Sequence, residues 1–129
     1  MAKTIIIDGN NIYDIPSFYD EINRVFMKNE DWELGPSLDA FNDLLYGGFG
    51  GIARDELIHL IWKNCEKNRK ELGPELTKMY YRNKLKSHQF DTGFVQKKLS
   101  ELKNGTGKTY FEIILEIIGE HPNIQLSCQ

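Results

Sequence analysis

Residues 56–62 read Glu-Leu-Ile-His-Leu-Ile-Trp, and the way this run is folded sets the whole architecture. It is too short for a helix of ordinary length and almost continuously apolar. That pattern suits a strand covered on both faces, the habit of parallel sheets. Upstream, Lys3-Thr-Ile-Ile-Ile-Asp8 is a second short β-branched run, closed by Gly9; downstream, Asn123-Ile-Gln-Leu-Ser-Cys128 alternates as a last strand does after Pro122. Helix signals fill the gaps. Ser17 is an N-cap candidate with Asp20 three residues on, and Phe18, Ile22, Val25 and Phe26 share one face to about Lys28. Another helix starts near Ser37 and stops before Gly47, and Thr109 with Glu112 opens a very apolar helix running through Ile118. Three strands joined by helical crossovers predict an α/β fold, a three-stranded parallel sheet packed with helices.

The chain has 129 residues and is 40% hydrophobic, enough for one domain over residues 1–129. No run approaches the roughly 18 apolar residues of a membrane span. Met1-Ala-Lys-Thr-Ile-Ile-Ile-Asp-Gly-Asn-Asn11 lacks the basic, apolar and small-residue sections of a secretory signal, so a soluble, cytoplasmic protein is expected. Cys65 and Cys128 stand far apart without metal-ligand spacing, which predicts neither a disulfide nor a zinc site and fits a reducing compartment. No cofactor motif is found.

The net charge of −3 conceals strong segregation. Residues 1–62 hold 4 Lys/Arg against 11 Asp/Glu, residues 63–108 hold 12 against 5, and residues 109–129 hold none against 3. The basic middle is helix-compatible, with breaks at Gly73-Pro74, near Asp91-Thr92-Gly93 and at Asn104-Gly105. Within it, Lys78-Met-Tyr-Tyr-Arg-Asn-Lys-Leu-Lys86 interleaves aromatic and basic residues in the manner of nucleic-acid binders, but an acidic remainder and no RNA-binding motif argue against direct nucleic-acid binding.

Other motifs fail on context. Gly105-Thr-Gly-Lys-Thr109 resembles a phosphate-binding loop but has Leu102 where the first glycine belongs, and it follows a helix-like segment where a strand is required. Gly48-Phe-Gly-Gly-Ile-Ala53 matches a dinucleotide pattern in the reverse helix-to-strand order. Ile5-Ile-Ile-Asp8-Gly-Asn-Asn11 resembles the opening of PIN- or NYN-type metal-dependent nucleases, which makes a small nuclease using Asp8, Asp39 and Asp43 the enzymatic alternative. Its other candidate strands end in Trp62-Lys63-Asn64 and Ser127-Cys128-Gln129, so the acid cluster such a metal requires is not visible. His59, His88 and His121 form no catalytic pattern, and His59 reads as a core histidine.

The most informative stretch is Ser37-Leu-Asp-Ala-Phe-Asn-Asp-Leu-Leu-Tyr-Gly47. On a helical wheel Leu38, Phe41, Leu44 and Leu45 gather on one side, with Asp39, Asn42, Asp43 and Tyr46 on the other. Asp39 can answer the helix dipole at the N-terminus. Asp43, one turn further in, is a poor helix former that repels Asp39 by a few tenths of a kcal/mol, roughly. Glu112, Glu116 and Glu120 make a second acidic stripe on the late helix. Read this way, two helices each offer a row of unpaired carboxylates, suited to a solvated face, a metal or a basic partner.

The chain resembles the barstar-related ribonuclease inhibitor family. The likeness rests on Ile7-Asp8-Gly9 with Ile12 and Ile15, on Gly35 followed by Leu38-Asp39-Ala40-Phe41, Asp43, Leu45 and Gly47, on Leu60 and Trp62, and on Phe111, Glu116 and Ile124. It covers most of residues 3–72 and 107–128, leaving 73–106 as a helical insertion. The resemblance implies a three-stranded parallel sheet with helices, no enzymatic activity, no cofactor and no metal. It further implies one-to-one plugging of the active site of a basic ribonuclease or nuclease toxin. An aspartate on the second helix takes the place of a substrate phosphate there, and Asp43 matches it. Asp39 matches a second contact and Glu116 a supporting glutamate, with Asn42, Tyr46, Gly47, Trp32 and Gly35 completing the expected surface. Two departures imply a different enzyme: an aromatic position is Asn42 here, and two tyrosine positions are Glu33 and Leu34, with Trp32 nearby.

Overall fold

The three strands lie side by side in sequence order, β1 (Lys3–Asp8), β2 (Ile58–Lys63) and β3 (Ile124–Cys128), all parallel, with Ile5 opposite Leu60 and Leu60 opposite Leu126. The computed structural model describes residues 3–86 and 92–129. Among the described residues six α-helices connect the strands: α1 (Ile15–Phe26) and α2 (Leu38–Tyr46) between β1 and β2, then α3 (Cys65–Glu71), α4 (Pro74–Leu85), α5 (Thr92–Lys103) and α6 (Tyr110–Gly119) before β3. The expected α/β fold is what forms. His88 and Asp91 lie outside the described residues, while Thr92 and Gly93 of the break expected there are the first two residues of α5.

The sheet is covered on one face, not on both. Along β2, Ile58, Leu60 and Trp62 are buried while His59 and Ile61 are half-buried; along β1, Ile5 and Ile7 are buried while Ile6 is 42% exposed. Strand order supplies the reason. Successive parallel strands added in one direction by right-handed crossovers place every connecting helix on the same side. The opposite face keeps half-exposed side chains, among them His59, whose Nε2 lies 2.8 Å from Ser127 Oγ. His59 is therefore not a core histidine.

An aromatic stack fills the covered face. The Phe18 ring lies 5.4 Å from Phe41 and 5.9 Å from Trp62, and Trp62 lies 5.2 Å from Phe111, with all four fully buried. This joins α1, α2, β2 and α6 in one core. Buried Asn68 on α3 closes the sheet end: its Oδ1 accepts from Trp62 Nε1 at 2.7 Å and its Nδ2 donates to the Gly9 and Ile12 carbonyls at 3.1 and 3.0 Å.

Cys65 and Cys128 are joined by a disulfide, against the sequence expectation. Their separation of 63 residues hides a close approach, because Cys128 stands beside Trp62 in the β2–β3 register and Cys65 opens the helix just past β2, with Cα atoms 5.3 Å apart. Cysteine usage therefore no longer argues for a reducing compartment. Among the described residues no helix is long and apolar enough to cross a membrane.

Helix starts follow the chemistry with one exchange of roles. Asp14, not Ser17, is the N-cap of α1: its carboxylate accepts from the Ser17 N–H, and Ser17 Oγ accepts back from the Asp14 N–H at 2.9 Å. Thr109 and Glu112 form the expected capping box on α6, so Gly105–Thr109 is a turn into a helix. In the basic middle, Tyr81, Val95, Leu99 and Leu102 make a small cluster of their own between α4 and α5. Thr77 ties α4 to the core, with its Oγ1 accepting from the Tyr110 N–H at 2.8 Å and donating to the Gly73 carbonyl at 2.8 Å. The tyrosines of the basic segment turn inward: Tyr81 is buried and the Tyr80 ring packs 5.1 Å from Tyr110.

Candidate functional site

Helix α2 is held by its apolar face and shows its acidic face. Ser37 caps it, its Oγ accepting from the Ala40 N–H at 3.1 Å, while Phe41, Leu44 and Leu45 are fully buried. Asp39, Asp43 and Tyr46 are exposed and Asn42 is half-buried, as the wheel predicts. Neither aspartate has a hydrogen bond or ion pair among the described residues. Two unpaired carboxylates one turn apart cost helix stability, so nothing in local folding accounts for Asp43. Asp39 does act on the core behind it. Burial is the main cause that pushes the Tyr19 phenol up to about 12, a 2.6 Å hydrogen bond with Tyr110 opposes it, and the charge of Asp39 adds to the rise.

Asn42 has a partner that the sequence did not reveal. His121, buried just past α6, places Nε2 at 2.7 Å from Asn42 Oδ1, and its ring meets Tyr46 edge-on with centroids 4.6 Å apart. Burial lowers the pKa of His121, with only the neighbouring Glu120 charge opposing it, so the ring is neutral near pH 7. An amide oxygen has no hydrogen to give, so Nε2–H is the donor. Strand-to-helix spacing carries no signal for this contact, which spans 79 residues.

The acidic stripe of α6 is not a row of free carboxylates. Glu112 accepts from the Thr109 N–H at 2.9 Å in its capping box, and Glu116 pairs with Lys108. The Glu116 contact is the chief cause raising the Lys108 pKa, and Glu112 and Glu120 add to it. Lys108 escaped the helical-wheel reading because it lies before the helix, outside its periodicity.

The loops flanking α2 are fixed from behind. Asn23 on α1 grips Leu34, accepting from its N–H at 2.6 Å and donating to its carbonyl at 3.2 Å, which anchors the loop that carries Trp32 and Gly35. Trp32 is 46% exposed and its ring centroid lies 5.4 Å from that of Phe49. At the other end, Gly47 caps α2 at φ 88°, where an added Cβ would lie 2.5 Å from the Ala53 carbonyl. Gly48 has φ 95° and open space around it, and its N–H donates to the Ile52 carbonyl at 2.9 Å. The glycine-rich stretch is thus a pinned turn.

Asp8 behaves as a cap. Its carboxylate accepts from the Asn10 N–H at 2.9 Å to start a 3₁₀ turn over Gly9–Asn11, and its own N–H donates to Glu21. Among the described residues no three His, Cys, Asp or Glu side chains gather where a metal ion could be held.

A model of the family described as Barstar (barnase inhibitor) matches residues 2–80. That span contains Trp32, Gly35, Asp39, Asn42, Asp43, Tyr46 and Gly47, and it ends within α4, short of Glu116. No curated protein matches the chain. Matched over more than half its length, with the three-stranded parallel sheet and the exposed acidic second helix in place, the chain belongs to the barstar family.

Proposed function

We propose that the chain is a cytoplasmic inhibitor that binds a basic ribonuclease, or a related nuclease toxin, one to one and blocks its active site with the exposed face of α2. The observation that supports this best is the pair Asp39 and Asp43, which are exposed, unpaired and carried on a helix anchored by three buried side chains. A ribonuclease must hold a phosphate with Arg, Lys or His, and a preorganised carboxylate satisfies the same donors through charge-assisted hydrogen bonds. Asp43 takes the phosphate role, with Asp39 and Glu116 supporting it. Asn42, Tyr46, Gly47, Trp32 and Gly35 complete the contact surface.

The α4–α5 segment is an addition to a single family domain, with its own apolar cluster, and its cations keep it off a cationic enzyme surface. An inhibitor of this class needs no cofactor, and it acts where the enzyme it restrains is made. Affinity capture with wild-type and Asp43→Ala baits tests the reading, since only the wild type should retain a basic ribonuclease. Incubating the purified chain alone with RNA and Mg²⁺ or Mn²⁺ tests the nuclease alternative: no cleavage is expected, and cleavage lost in Asp8→Ala would overturn the inhibitor reading.

A further inference from the structure

The N–H and C=O groups of a strand point alternately to its two sides. The Lys3 N–H donates to the Leu57 carbonyl at 2.9 Å, toward β2, so Ile5 and Ile7 also face β2 while Thr4, Ile6 and Asp8 turn their backbone groups outward. Glu21 Oε2 takes the outward N–H of Asp8 at 2.8 Å. Among the described residues β1 pairs with β2 alone in the sheet, which leaves Thr4 and Ile6 as open rungs on a terminal strand.

A groove of about 430 Å³ runs along these rungs. Lys3 to Ile6 form one wall, and the last turn of α1 with the residues after it, including Arg24, Val25 and Lys28, form the other. Among the described residues no carboxylate lines it, although residues 1–62 hold almost three acids for each base. Arg24 is occupied by Glu21. Lys3 reaches only a carbonyl, that of Gly51, and exposed Lys28 has no ion pair among the described residues, so two positive charges remain uncompensated. Proteins often blunt a sheet edge with lysine, and Lys3 at the strand start could serve that end alone. The open rungs themselves carry Thr4 and Ile6, however, and neither a charge nor a proline guards them.

We propose that this groove docks an extended acidic peptide segment, which adds to β1 as a fourth strand through the Thr4 and Ile6 backbone and sets its carboxylates against Lys3 and Lys28. The site is separate from the α2 face and does not depend on the inhibitor reading.

The test pans a random linear dodecapeptide library, displayed on phage, against the immobilised full chain. Synthetic copies of the enriched peptides are then titrated by fluorescence anisotropy against wild type, Ile6→Pro, Lys28→Glu and Asp43→Ala. Proline removes only the outward N–H of Ile6, a change that edge strands accept. Lys28 is exposed, so its variant keeps the test decisive should Ile6→Pro fail to fold. The expected result is enrichment of peptides alternating acidic and β-branched residues. Their affinity should drop about tenfold with Lys28→Glu and with folded Ile6→Pro, as for a lost hydrogen bond or charge contact, and hold with Asp43→Ala. Absence of acidic peptides, or equal binding to Lys28→Glu, would overturn the proposal. So would a wild-type dimer in light scattering that Ile6→Pro abolishes, because the edge would then belong to a second copy.

Discussion

His121 Nε2 lies 2.7 Å from Asn42 Oδ1, so a buried ring just past α6 holds the polar residue that sits between the two aspartates of α2. Helix α2 is thereby braced from two sides, by its apolar residues in the core and by a polar contact next to its exposed face. His121→Ala should remove both the hydrogen bond and the ring under Tyr46, lowering stability by about 1–3 kcal/mol. Urea unfolding measures this, and an unchanged midpoint would mean that the contact does not brace the helix.

The same histidine predicts a pH dependence. Its pKa is lowered in the fold by burial, so below its ordinary value of 6.5 the unfolded chain binds a proton that the folded chain refuses. Stability should therefore begin to fall as pH drops through about 6.5, and His121→Gln should flatten that part of the curve.

Glu21 acts in a lower window. Burial works to raise its pKa, but the Arg24 guanidinium at 2.7 Å, the Asp8 N–H and the Asn11 amide outweigh it and hold the carboxyl below its ordinary value of 4.5. A carboxyl lowered in the fold contributes stability above its unfolded pKa and loses it as pH falls through the folded one. A second decline should thus start near 4.5 and be absent in Glu21→Gln, as thermal melts across pH 3–7 would show.

Asn68 should be among the most sensitive positions in the fold. It is fully buried and satisfies the Trp62 indole and two carbonyls of the turn after β1, which Lys67 Nζ also reaches, so Asn68→Ala leaves the indole N–H without its acceptor and takes one donor from each carbonyl. The expected cost is about 1–3 kcal/mol, measurable in the urea midpoint. A change below about 0.5 kcal/mol, typical of surface substitutions, would contradict this role.

Lys108 gives a prediction of opposite sense. It occupies Glu116 in the free chain, where a cationic partner would otherwise pair. Lys108→Ala should leave folding intact and speed association with a basic ribonuclease a few-fold at low salt, with the gain vanishing as salt screens the carboxylates. Slower association would show that Lys108 helps docking.

Much of the fold was legible because period and capping are local signals. The three strands, the two faces of α2 and the Thr109–Glu112 box could all be read from neighbours a few residues apart. What escaped depends on relations between distant segments. The continuous apolar run of β2 suggested cover on both faces, but strand order and crossover hand decide which faces are covered, and neither is written in periodicity. Cys65 and Cys128 meet because of a β2–β3 register, and His121 finds Asn42 because α6 ends beside α2. For the site, family likeness marked Asp39 and Asp43, and the helix exposes both. Glu116 carried a hidden condition in its pairing with Lys108, a residue outside the helix that the wheel described.

The central claim is that the outward face of α2 binds a ribonuclease through Asp43. Calorimetric titration of the ribonuclease retained by the wild-type bait, against wild type and Asp43→Ala of equal thermal stability, tests it most directly. The account predicts an equivalence point at one to one for wild type and a loss of more than about 2 kcal/mol, some thirtyfold, for the variant. Equal affinity for the two would contradict it.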